Sequence, residues 1–328
     1  MVSARLPSRS RAATDDGKRG ANGAWARPGG GHRRPALDAS SHESTLEGVT
    51  SSASHRPAAV AGLFYPEDRA ALRAELRAHL AAARPVPADA LPPKLIVVPH
   101  AGTVYSGAIA AQAYAWLARW PGRWRRVVLL APAHRVFVEG LAAPSVAAFD
   151  TPLGAVPVDR EALRGVAGIG GPGRSPDLGG PGAGAVVVDD HVHAREHAIE
   201  VQLPFLQTVL GEFTLVPFAV GDATPDAVAE VIERLWGGDE TLVVISTDLS
   251  HYLPYARARV VDAATIERVL ALDGTLAHDQ ACGATPLNAA LAVAARHRLR
   301  PRLLDLRNSG DTAGERARVV GYAALVFT

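Results

Sequence analysis

The chain has 328 residues, a formal charge of +1, 48% hydrophobic and only 5% aromatic residues, which suits one large or two small α/β domains with a mostly aliphatic core. With no basic face, no aromatic interleaving and no apolar run near the roughly 18 residues needed to cross a bilayer, it reads as a soluble protein that takes neither nucleic acid nor a membrane as partner. The one cysteine, Cys282, excludes an internal disulfide and points to a reducing, cytoplasmic compartment.

Residues 1–55 are rich in Arg, Ser, Gly and Ala, with RPGGGHRRP at 27–35 and SSASH at 51–55. Without apolar periodicity they cannot bury enough surface to offset their ordering entropy, so a disordered N-terminal extension is expected before a domain at 56–328. The extension also lacks the apolar stretch of a secretory signal. RPAAVAGLFYP (56–66) is compact and apolar, and Pro66 precedes a helix with Leu72, Leu76 and Leu80 four apart. Leu95–Val98, stopped by Pro99, has the pattern of a fully buried strand and delivers His100 into a turn. A helix over 106–120 follows, then a strand at 126–131 that runs on to His134. Short runs between 136 and 158 predict a β-hairpin excursion. Residues 168–184 are a glycine-rich loop; Gly168, Gly170 and Gly173 match a dinucleotide fingerprint formally, but no strand precedes them and Pro172 intervenes.

After Val186–Val188, a helix is predicted from Glu196 to Gly211, kinked at Pro204. A strand at 213–221 leads to Thr224-Pro225, a cap and first-turn proline for a helix reaching Trp236. TLVVIS is a third buried strand, continuing past Asp248 to His251. Helices over 257–272 and from Thr285-Pro286 to His297, then strands at 302–306 and 319–327, complete the domain. The alternation predicts an α/β fold: a single domain with a central, largely parallel mixed sheet flanked by helices.

Ligands of open α/β sheets bind beyond the carboxyl ends of the strands. A lone histidine there is ordinarily structural, but His100, His134 and His251 at three such ends make one shared site the economical reading. Neutral imidazole is the commonest metal ligand, and Asp248 is placed to ligate or to orient a ligand. Cys282 is open to two readings, a small buried hydrophobe or a thiolate favoured by the start of the following helix. In HVHAREHAIE, the pairs His193/His197 and Glu196/Glu200 are four apart and would align on a helix, where Glu196 and His197 could supply acid–base groups. The segment is not the H-E-x-x-H of a zincin. Ser246 or Ser250 with Asp248 and His251 could serve a hydrolase, but there is no G-x-S-x-G elbow.

RPAAVAGLFYP, VVPHAGTVYSG, LLAPAHRV, FDTPLGAVPVD, EHAIEVQLPFLQ, FTLVPFAVG, STDLSHY, ACGATPL and NSGDTAGERARVVGYAALVF together resemble the Memo family, also labelled AmmeMemoRadiSam system protein B, in order and across 56–328. The resemblance implies a fold similar to class III extradiol (LigB-type) dioxygenases. It implies His100, His134 and Cys282 as ligands of a transition metal, iron or copper in preference to zinc, with Asp248, His251, Glu196 and His197 lining the pocket. It also implies a non-haem, dioxygenase-like oxidoreductase or, alternatively, a non-catalytic binding module acting with radical SAM and AMMECR-type proteins. Two His plus Cys differs from the two-His-plus-carboxylate set of non-haem iron dioxygenases, so the activity does not follow from the fold. Gln202 stands where eukaryotic members carry a second histidine, which detaches this chain from their phosphopeptide-binding role.

Overall fold

In the computed structural model, residues 54–167 and 186–328 are described, all within one compact unit. The expected disordered extension, apart from Ser54 and His55, and the glycine-rich loop at 168–184 lie outside the described residues. His55–Arg56 is a short strand, β1. Helix α1 (Arg69–Ala81) is capped by the Asp68 carboxylate on the Ala71 amide and buries Leu72 and Leu76. Strand β2 is Leu95–Val98, buried throughout as its unbroken apolar run requires. Helix α2 (Thr103–Leu117) starts three residues earlier than expected, because the Thr103 amide and hydroxyl are both taken by the Phe64 carbonyl.

Strand β3 (Arg126–Pro132) is followed by β4 (Leu141–Ala143), β5 (Ala148–Thr151) and β6 (Gly154–Pro157). The expected excursion divides in two: β5 and β6 form a hairpin with β1 in a separate three-stranded sheet, while β4 joins the main sheet. Helix α3 (Arg160–Val166) precedes β7 (Val186–Val188) and α4 (Asp190–Ala194).

The helix predicted from Glu196 is corrected here. A turn follows α4, a single 3-10 turn occupies Glu200–Gln202, and α5 (Leu203–Leu210) begins only then. Pro204 lies in the first turn of α5, where its missing amide costs nothing, so it starts the helix instead of kinking it. His193 and His197 therefore share no helix face, nor do Glu196 and Glu200.

Strand β8 (Thr214–Val220) ends against a close crossing: a Cβ on Gly221 would fall 2.1 Å from the Val138 carbonyl oxygen. Helix α6 (Pro225–Arg234) is capped by Thr224 as its sequence predicts. Strand β9 (Thr241–Ser246) stops five residues short of His251, which opens a separate strand, β10 (His251–Leu253). Helices α7 (Tyr255–Leu270) and α8 (Ala284–Arg296), then β11 (Pro301–Asn308) and β12 (Val319–Phe327), finish the chain.

The main sheet runs β10-β12-β2-β9-β3-β8-β4-β7, with β11 also paired to β12. Its central four strands, β2, β9, β3 and β8, are mutually parallel, while β12 joins β2, and β4 joins β8, antiparallel. Val127–Leu130 and Leu242–Ile245 are wholly enclosed, each large aliphatic side chain contributing about 1.5–3 kcal/mol through burial. The consequence for the site is positional. Strand β9 lies between β2 and β3, so their three carboxyl ends, leading to His100, Asp248 and His134, emerge side by side. No described helix is long and apolar enough to cross a membrane.

Candidate metal centre

His100 is buried two residues beyond β2, and its Nδ1 lies 3.0 Å from the Ser246 hydroxyl at the end of β9. That hydroxyl has one proton, given to the Ala198 carbonyl at 2.7 Å, and it accepts Gln202 Nε2 at 2.8 Å. His100 Nδ1 must then donate, which leaves its Nε2 lone pair free. Nε2 points at Cys282 Sγ, 3.3 Å away.

His134 follows β3 by two residues. Its amide donates to Glu196 Oε2 at 2.6 Å and its Nδ1 to Glu196 Oε1 at 3.0 Å, which leaves Nε2 to face Cys282, its other hydrogen-bond partner. Cys282 arrives from the far end of the domain, one residue before the Gly283 cap of α8. Its amide donates to the Asp248 carbonyl at 3.2 Å, and its sulfur accepts the Asp248 amide at 3.3 Å. Gly283 is required by this approach: a Cβ there would meet the Thr247 side chain at 2.8 Å. His278 also holds the junction, its Nδ1 to the Cys282 carbonyl at 3.3 Å and its Nε2 to the Thr285 hydroxyl at 3.2 Å.

One ligand atom each from His100, His134 and Cys282 falls within 4.8 Å of the others. Two imidazoles with their second nitrogens already hydrogen-bonded, facing a sulfur, form a donor set that could hold a metal ion, with outer groups fixing the rings. The donor types suit a borderline or soft transition ion. The residues present therefore fit such an ion.

The electrostatics agree. Burial pushes the Cys282 thiol up, but the adjoining His100 and His134 imidazoles outweigh it and bring it down to about 6. Burial pushes His134 down, and its hydrogen bonds to Cys282 and Glu196 reverse this, raising it to about 10. Without a cation the two form a thiolate–imidazolium pair.

Glu196 is enclosed yet ionised; burial opposes the charge, but His134 and the amides of His197 and Ala198 hold its carboxyl far below the usual range. His197 stacks on His134 (centroids 4.9 Å apart), meets His100 edge-on at 5.5 Å and touches Phe64 at 4.8 Å. Its Nδ1 is 3.3 Å from Glu196 Oε1 but out of line for a hydrogen bond. Burial and the neighbouring His100 depress its basicity strongly. Asp248 accepts the His100 amide at 2.8 Å, and its other oxygen is 4.0 Å from His100 Nε2. Full burial raises its carboxyl despite that bond.

The site residues expected from sequence thus fall into layers. His100, His134 and Cys282 converge, Glu196 and His197 back His134, and Asp248 backs His100. His251 lies on the Asp248 side, where its field lowers the Asp248 carboxyl. Its Nδ1 donates to the Leu249 carbonyl at 2.9 Å and its ring meets Tyr252. The sequence marks Gln202 only as replacing a histidine of eukaryotic members, yet it is buried between Tyr114 Oη (2.7 Å), the Pro99 carbonyl (2.9 Å) and Ser246. A glutamine in an apolar helix start carries no signal of that role.

Fold and donors together define an α/β protein with a two-histidine, one-cysteine cluster beyond the carboxyl ends of the parallel strands of a mixed sheet. The Memo-like protein family matches residues 56–326, and the chain belongs to it. A MEMO1 family protein of Methanopyrus kandleri is 37% identical over 300 residues, covering 83% of this chain and 98% of that one. A MEMO1 family protein of Metallosphaera sedula is 30% identical over 295 residues, covering 83% and 99%. Among solved structures, an uncharacterized protein of Escherichia coli K12 aligns at 12% identity with a TM-score of 0.45, over 71% of this chain and 98% of that one.

Proposed function

We propose that this Memo-like protein holds one transition metal ion at His100, His134 and Cys282, iron or copper in preference to zinc, and serves as a metal-dependent oxidoreductase. The observation that carries the reading is the convergence of three ligand atoms within 4.8 Å, with both second imidazole nitrogens already spoken for by Ser246 and Glu196. A bound ion of this kind would supply one-electron and oxygen-linked chemistry at these residues.

The chain's own groups divide the proton handling by environment. His197 stays neutral because burial and His100 disfavour its charge. Asp248, whose carboxyl burial raises to about 6, is the group placed to take up and return a proton near neutral pH. Phe64 packs against the His197 ring.

The test is anaerobic purification without a histidine tag, metal quantification, and a spectrum on exposure to air. About one iron or copper per chain, lost in Cys282→Ser and His100→Ala, supports the proposal. Stoichiometric zinc in a colourless protein would turn the reading to zinc-assisted hydrolysis, and no bound metal would end it.

A further inference from the structure

Beneath the donor set lies a buried ion pair that the proposed chemistry does not use. Glu200 is completely enclosed. Its Oε2 accepts Arg56 Nη1 and the Ala59 amide (2.8 Å), and its Oε1 accepts the Val60 amide (3.0 Å) and the Tyr65 hydroxyl (2.5 Å). The carboxylate is thereby satisfied by the 56–65 segment alone.

Arg56, also buried, has donors to spare. Its Nε donates to the His193 carbonyl at 3.0 Å and its Nη2 to the Glu196 carbonyl at 2.6 Å. These two carbonyls bracket the turn that leaves α4. The same Glu196 whose carbonyl is gripped holds His134 with its carboxylate, and His197 is the next residue.

We infer that Arg56 is a positioning residue for the metal centre: its guanidinium clamps the His193–Glu196 turn and so aims the Glu196 carboxylate at His134. The inference rests on the metal reading above. A point charge could balance Glu200; Arg56 instead sends three different nitrogens, held in one plane, to the carboxylate and to two separate carbonyls. If Arg56 merely offset the Glu200 charge, lysine would replace it without effect on His134.

That difference is the test, made on the full chain. Arg56→Lys keeps a cation opposite Glu200; the double variant Arg56→Gln/Glu200→Gln removes both charges and guards against a fold lost to an unpaired one. Two quantities are read: cobalt(II) affinity with its thiolate charge-transfer band, and, without metal, the NMR resonance of the His134 Nδ1 proton that Glu196 accepts. Arg56→Lys is expected to fold with a lowered melting temperature while binding cobalt(II) about 10-fold or more weakly, with an altered band and a shifted proton resonance. The double variant should show the same two changes. Wild-type values of both in Arg56→Lys would overturn the inference. A wild type that takes up no cobalt(II) would end the metal reading instead, and the proton resonance alone would then decide the role of Arg56.

Discussion

Removing the Ser246 hydroxyl tests how the centre is built. It is one enclosed oxygen that donates to Ala198 O and accepts from His100 Nδ1 and Gln202 Nε2. Ser246→Ala orphans three buried groups: the imidazole N–H, one amide hydrogen of Gln202 and a backbone carbonyl. A buried group left unpaired costs about 1–3 kcal/mol. Relaxation recovers part of this, since Gln202 Nε2 keeps the Pro99 carbonyl, so we expect a loss of about 3 kcal/mol from the metal-free protein. It is measured as a fall in urea midpoint at unchanged slope. The second effect is on His100 itself. Without its acceptor the ring is free to turn its other nitrogen toward Cys282, and metal affinity should fall about 10–100-fold, or about 1.4–2.7 kcal/mol. Two measurements on one variant separate fold from site. An unchanged midpoint with unchanged affinity would show that Ser246 does not fix the His100 tautomer.

The remaining expectations concern pH and packing. Burial lowers His193 to about 4, with Nε2 bound to the Ala142 carbonyl, so the unfolded chain gains a proton that the folded one refuses as pH falls from about 6.5 to about 4. Wild type should lose up to about 3 kcal/mol relative to His193→Gln across that window and nothing above it; parallel stability curves would exclude this. At pH 7.5 Cys282, at about 6, is a thiolate and His134, at about 10, carries a proton, so metal binding should release one proton and tighten about tenfold per pH unit. Calorimetry in buffers of different ionisation heat reads that proton directly, and a buffer-independent heat would contradict it. Gly221→Ala forces a methyl to 2.1 Å from the Val138 carbonyl and should cost about 3 kcal/mol or more, seen as a lowered melting temperature.

How much of this was legible in the sequence follows from how local each signal is. Leu95–Val98 and Val319–Phe327 appear with the bounds their apolar runs suggest, because a fully buried strand needs no information beyond its own residues. Thr224-Pro225 sets the start of α6 for the same reason. The segment after α4 departs from its predicted helix because the i, i+4 spacing of its His and Glu residues fits a helix as well as it fits a turn. What decides against the helix is tertiary: Glu196 is drawn to His134 and Glu200 to Arg56, 144 positions away. The convergence of strand ends was readable from topology. The orienting groups Ser246 and Gln202 were not, since a hydroxyl and an amide become part of a site only through what they face.

The two histidines at this centre are alike in sequence context and unlike in chemistry. Each closes a parallel strand, yet His100 Nδ1 donates to a neutral hydroxyl while His134 Nδ1 donates to a buried, ionised carboxylate. A hydrogen bond to an anion is roughly twice as strong as one to a neutral acceptor and gives the ring more electron density. His134 is therefore the stronger donor, and His100 the one whose hold on a metal ion depends most on geometry. The clamp from Arg56 acts on the strong donor and the Ser246–Gln202 chain on the weak one. Disturbing Glu196 should accordingly alter the electronic character of a bound ion, whereas disturbing Ser246 should alter whether it is held at all.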